Sequence, residues 1–122
     1  MRQHLALTLI IATAALTTGC APSAQSLLGQ DEAAVRAGLG RPEYRHRFVI
    51  ELPNQPRLMG PRPAGLLPGE EYTSLFYPAA WGEQWSIFLA SPAIFERIHK
   101  RKALTAQDCV VDVQRFPKGA VF

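Results

Sequence analysis

Leu28-Gly29-Gln30-Asp31-Glu32-Ala33-Ala34-Val35-Arg36-Ala37-Gly38-Leu39-Gly40-Arg41-Pro42 is the stretch that decides the fold of this 122-residue chain. Asp31 and Glu32 favour a helix start, because carboxylates there complement the positive end of the helix dipole. Val35 and Leu39 lie four apart and share a face with Leu28. Gly40 supplies a left-handed stop, and Pro42 prevents the helix from resuming. The spacing predicts a short helix from about Asp31 to Leu39.

After Pro42 the pattern changes to alternation. In Arg45 to Leu52, His46, Phe48, Ile50 and Leu52 face one way and Arg45, Arg47, Val49 and Glu51 the other, a strand with one face on the core. His46 has no second ligand at any metal-site spacing and reads as structural. Pro53 to Gly69 is rich in proline and glycine, which remove backbone donors and fix φ, so it is a long loop and not a central strand. Leu58, Met59, Leu66 and Leu67 are apolar for a solvated loop and predict that part of it packs on the domain or on a partner. Tyr72 to Tyr77 and Gln84 to Ala90 read as an antiparallel hairpin turning over Pro78 to Gly82. Ser91 with Pro92 is a good helix start, and Ile94, Phe95 and Ile98 fit one stripe. A helix is the favoured reading of 92–102; a hairpin returning as a strand is the alternative. Cys109 to Phe116 is the last strand, with Cys109, Val111 and Val113 expected on one face and Asp112 and Gln114 on the other. The expectation is an α+β class domain of two layers: a short N-terminal helix packed on a three- to four-stranded antiparallel sheet.

Ahead of this domain, Arg2 supplies a positive start, Leu5 to Leu16 an almost unbroken apolar run, and Thr17-Thr18-Gly19-Cys20 the small residues of a cleavage site, which together read as an export signal over 1–19. The run is too short for a permanent membrane span. Leu16-Thr17-Thr18-Gly19-Cys20 resembles the lipobox of bacterial lipoproteins, which implies a diacylglycerol on Cys20 as the new N-terminus. Residues 20–27 are then a lipidated tether and 28–122 the folded domain. Several acyl chains would anchor a small domain stably where one would not. Ala21 after the cysteine leans, by the same analogy, towards the outer membrane.

With Cys20 acylated, the second of the two cysteines, Cys109, has no partner in the chain and is expected to be buried as a small hydrophobe. The formal net charge of +3 is mild, and with export it argues against a nucleic-acid partner. The basic cluster Arg97, His99, Lys100, Arg101 and Lys102 reads as a solvated helix end, with contact to anionic lipid as the alternative.

The lipobox and linker, then Gly29-x5-Val35-x3-Leu39-Gly40-x-Pro42 before antiparallel strands, resemble the SmpA/OmlA (BamE) lipoprotein family. That resemblance implies a lipid-anchored protein on the periplasmic side of the bacterial outer membrane, an accessory of the β-barrel assembly machinery supporting envelope integrity. It implies no enzyme activity and no cofactor, with Gly40 and Pro42 as structural positions. Leu75-Phe76-Tyr77 lacks the tryptophan often found in that strand, and the segments 53–69 and 92–102 look like additions. Two rivals come from other classes: a small ligand-binding or inhibitor lipoprotein on the same fold, and a cell-envelope hydrolase using Cys109 with His99, which needs thiol and imidazole in hydrogen-bond reach.

Overall fold

The computed structural model describes residues 23–57 and 60–117. The signal segment, Cys20, Leu58 and Met59 lie outside them. The elements in chain order are α1 (Ala24–Leu27), α2 (Glu32–Leu39), β1 (Tyr44–Val49), β2 (Glu71–Ala80), β3 (Glu83–Ala90), α3 (Pro92–His99) and β4 (Cys109–Pro117). The strands form one antiparallel sheet in the order β1-β2-β3-β4. The chain is therefore α+β.

The helix expected over 31–39 is α2. Asp31 is its N-cap, with the carboxylate accepting from the Ala34 N–H at 2.9 Å. Gly40 ends it at φ 85°, donating its N–H to the Arg36 carbonyl at 2.8 Å. Pro42 is buried behind this stop. Val35 is fully buried and joins Leu27 against Leu75, Tyr77, Trp85, Ile87, Leu89 and Val110 on one face of the sheet.

Of the expected tether over 20–27, residues 23–27 are described. Ala24–Leu27 forms a single helical turn capped by Ser23, and Leu27 is buried. One turn leaves no periodicity to read, and Leu27 ahead of Leu28 is already part of the packed core. After that turn the Gly29 N–H donates to the Val110 carbonyl and the Val110 N–H to the Gln30 carbonyl, at 2.9 and 2.8 Å. These bonds cover the outer edge of β4 at its start, around Val110, and β1 is the edge strand at the other side of the sheet.

The sheet is covered on its other face too. There Ile50, Tyr72, Phe88, Ala90, Cys109 and Val111 pack with Phe95 of α3, and with the half-buried Phe48, Leu66 and Ile98. So β3 is buried on both faces along nearly its whole length. Residues 92–99 are helical, as the Ser91-Pro92 start favoured: the Ser91 hydroxyl accepts from the Ile94 N–H at 3.3 Å.

Three strand expectations need correction. β1 stops at Val49, short of the expected Leu52, and its burial is graded: Ile50 is buried, Phe48 half-buried, His46 exposed. An edge strand with no layer over its first half cannot bury that half. The β2–β3 turn is tighter than 78–82: β2 continues through Pro78 to Ala80 with an irregularity after Tyr77, and Trp81 and Gly82 alone make the turn, both at positive φ. Two positive φ values suit the right-handed twist of the strands, and the Trp81 ring lies 5.6 Å from Trp85. In β4 a bulge breaks the alternation: Leu89 pairs with Val110 but Phe88 with Asp112. Val113 therefore packs against the first cluster while Cys109 and Val111 stay in the second, and Asp112 and Gln114 lie on the same face as Cys109.

Candidate functional site: an aromatic groove at the open edge

The bulge positions the Pro-rich loop. Asp112 Oδ2 accepts from the Ala64 N–H at 2.9 Å and from Gln114 Nε2 at 3.1 Å, and Gln114 Nε2 also reaches the Arg62 carbonyl at 2.6 Å. Arg62 pairs with Glu51 at 2.6 Å. From the other side, Arg97 of α3 grips the Glu70 carboxylate and donates to the Gly65 carbonyl at 2.9 Å. Gly65 sits at φ +88°, and a Cβ there would stand 3.1 Å from Ile98, so the loop approaches α3 more closely than a larger residue allows. The expectation that part of this loop packs on the domain holds for Leu66, which joins the second cluster, while Leu67 is exposed.

Among the described residues, the loop reaches the groove on the second face at Pro61. Beyond it, Tyr44, His46, Phe48, Ser74, Phe76 and Ser86 line an open groove of about 430 Å³. Its walls arise from strand periodicity: Tyr44, His46 and Phe48 alternate along β1, and the register sets Tyr44 beside Phe76 and His46 beside Ser74. The Tyr44 and Phe76 rings stack with centroids 6.1 Å apart, and His46 lies 4.6 Å from Phe48. Phe48 continues onto Tyr72 at 5.5 Å, and Tyr72 meets Phe88 edge-on. One end of this aromatic row is core and the other is in solvent, with Tyr44 63% exposed. The Ser74 and Ser86 hydroxyls and the His46 imidazole add polar groups, so the groove suits apolar or aromatic groups that also carry hydrogen-bonding functions. His46, read from sequence as structural, is thus a groove residue. The signal for it was three aromatic rings at alternate positions of a strand beginning one residue earlier than expected.

The opposite face of β1 is electrostatic. Glu32 of α2 lies between Arg36 and Arg45, with Arg45 Nε 2.9 Å from its carboxylate. Arg47 reaches Asp108 at 2.9 Å, Glu71 at 3.1 Å and the Thr73 hydroxyl at 2.9 Å. The Arg45 hydrogen bond holds the Glu32 carboxyl below its usual range, and the Arg97 hydrogen bond does the same for Glu70. The Arg45 pair ties α2 to β1, and the Arg97 pair ties the loop to α3.

The residues named in the hydrolase reading do not form a dyad. Cys109 is fully buried, and that burial, with Asp108, Glu96 and Asp31 nearby, pushes its thiol pKa up. A His99 ring nitrogen is 2.7 Å from the Val111 carbonyl, and the ring packs on Phe95. A neutral, buried thiol is a poor nucleophile. In the native protein Cys109 is expected to resist a maleimide probe and to react stoichiometrically once unfolded, read by mass; native labelling within minutes would contradict this assignment. Burial raises the Tyr72 and Tyr77 hydroxyls as well. All three groups favour their neutral forms more in the folded than in the unfolded chain, so their contribution is complete below the unfolded values of about 8.5 and 10 and is lost as pH rises through the higher folded values. Glu32 and Glu70 act with the opposite sign and lose their contribution as pH falls below about 4.5. Denaturant unfolding at a series of pH values is expected to show a plateau between these limits and a decline on both sides.

Gly40, singled out from the sequence, caps α2 and also accepts a hydrogen bond from the Tyr77 hydroxyl at 2.8 Å through its carbonyl. Cys20 lies outside the described residues. Among the described residues no cluster of three acidic, histidine or cysteine side chains is placed to hold a metal, and no helix is long and apolar enough to cross a membrane. Comparison of the chain with protein-family models, with curated proteins and with solved structures finds no match.

Proposed function

We propose that the chain is a lipid-anchored, non-catalytic interaction module on the periplasmic side of a bacterial outer membrane, offering the β1–β2 groove to another envelope component. The observation that carries this reading is the spacing of the lipobox cysteine and the fold. The Ser23 cap stands three residues after Cys20, so a lipid there would hold the domain directly on the bilayer, with an aromatic groove open at its free sheet edge. A partner role in β-barrel assembly rests on the family resemblance alone. The groove also supports the second reading, a small-ligand lipoprotein, because its volume falls within the roughly 300–1,000 Å³ of small-molecule sites. The buried, protonated Cys109 weighs against the hydrolase.

The anchoring half is tested by purifying the protein from envelopes and weighing its N-terminal peptide. The expected result is a peptide starting at Cys20 and carrying acyl chains, with the Cys20→Ser variant unprocessed and unacylated. A mature terminus elsewhere, or a free Cys20, overturns the reading. Capture with and without Tyr44→Ala and Phe76→Ala then separates partner from ligand: a protein lost on substitution supports the module, a small molecule lost on substitution the second reading.

A further inference from the structure

We infer that the turn after α3, Lys100-Arg101-Lys102 with Leu104, is a membrane-contact surface that seats the domain on anionic phospholipid headgroups and thereby fixes its orientation. The inference rests on the lipid anchor proposed above and deepens it.

The turn lies beside the point where the chain enters the domain. Ser26, Leu28, Gly29 and Gln30 at the start of the domain and Arg101, Lys102 and Leu104 in this turn line one hollow of about 220 Å³. Ser23 is three residues from Cys20, a span of at most about 10–11 Å. The turn is therefore on the side of the domain that the anchor draws towards the membrane surface, where cations are attracted to an anionic leaflet.

Its charge is also concentrated. Arg36, Arg45, Arg47, Arg62, Arg97 and Arg115 each meet a carboxylate. Lys100, Arg101 and Lys102 are exposed and form no ion pair among the described residues. Arg41 and Arg57 likewise form no ion pair among the described residues, but each stands singly in the sequence, whereas the turn carries three cations in a row. The fold also holds them outward. Lys100 ends α3 in the left-handed conformation at φ 58°, its N–H on the Glu96 carbonyl. The Arg101 guanidinium lies over the Phe95 ring at 5.1 Å, and Glu96 accepts the Ala103 N–H at 3.0 Å. Leu104, at the tip, is 91% exposed. Three such cations around an exposed leucine suit a headgroup layer, where the cations meet phosphates and the leucine enters the acyl boundary. An acidic protein surface would satisfy the cations but leave the leucine and the nearby anchor without a role.

This contact sets the orientation of the domain. The turn leads into β4 at the end of the sheet where Cys109 pairs with Ala90, whereas the groove residue Ser86 lies four residues further along β3. Seating the turn on the membrane points the groove away from it.

The test is hydrogen exchange of the protein purified from envelopes and placed in vesicles of phosphatidylcholine alone or with phosphatidylserine added, the mass of the N-terminal peptide being read in the same experiment. Amides of residues 100–106 are expected to exchange at least about tenfold more slowly on the anionic vesicles, and high salt or the Lys100→Gln, Arg101→Gln, Lys102→Gln variant should abolish the difference. Equal exchange on both vesicles with Cys20 acylated overturns this inference alone, as does protection that survives the triple substitution. A non-acylated Cys20 overturns the proposed function and this inference with it.

Discussion

Replacing Phe95 by alanine is expected to destabilise the domain by about 3–5 kcal/mol, the range for truncating a buried aromatic residue. It is 1% exposed, and its ring lies against Gly29 and contacts both the His99 ring and the Arg101 guanidinium. It is the one fully buried residue of α3, so the loss falls on the docking of the whole helix. Secondary effects come through the same contacts. Arg97 and Ile98 hold Glu70 and Gly65, and through them the Pro-rich loop whose Pro61 walls the groove. Urea unfolding measures the cost, and Phe95→Leu, which keeps most of the volume, is expected to recover more than half of it. A loss below about 1 kcal/mol for Phe95→Ala would mean that Phe95 does not anchor α3.

Gly40→Ala is expected to cost about 1–3 kcal/mol, and for a different reason. Nothing stands within 4 Å of the position a Cβ would take, so sterics with the rest of the fold are absent. The backbone at φ 85°, ψ −160° lies in a region that is essentially restricted to glycine. An alanine must leave that region, moving the carbonyl that receives the Tyr77 hydroxyl and the chain that leads to the buried Pro42. Gly38 supplies the control. It lies inside α2 with open space around it, so Gly38→Ala is expected to stabilise by about 0.5–1 kcal/mol. Opposite signs two residues apart isolate backbone conformation as the cause; equal signs would refute it.

Local chemistry was legible in the sequence and long-range chemistry was not. Asp31, Val35, Leu39 and Gly40 carry the start, buried stripe and stop of α2 within one short segment, and Ser91-Pro92 does the same for the start of α3. The bulge at Val111 is different. Nothing in Cys109-Val110-Val111-Asp112-Val113 marks where the alternation slips, because the slip depends on pairing with Phe88 and Leu89. That one slip turns Asp112 and Gln114 from expected solvent residues into the clasps of the Pro-rich loop. Likewise the groove needs residues from β1, β2, β3 and the loop, which no local pattern brings together. The alternation around His46 pointed to the correct face but not to its being open, since openness depends on where the loop stops covering it.

The groove is tested most directly by a photo-crosslinking amino acid placed at His46 in the full chain, activated in intact envelopes, with the same probe at Ala37 on the exposed side of α2 as reference. If the groove is the interaction surface, position 46 gives a discrete crosslinked product, lost when Tyr44 and Phe76 are both alanine, and position 37 gives none. The same product from both positions, or none from position 46 in a correctly anchored protein, would contradict that role.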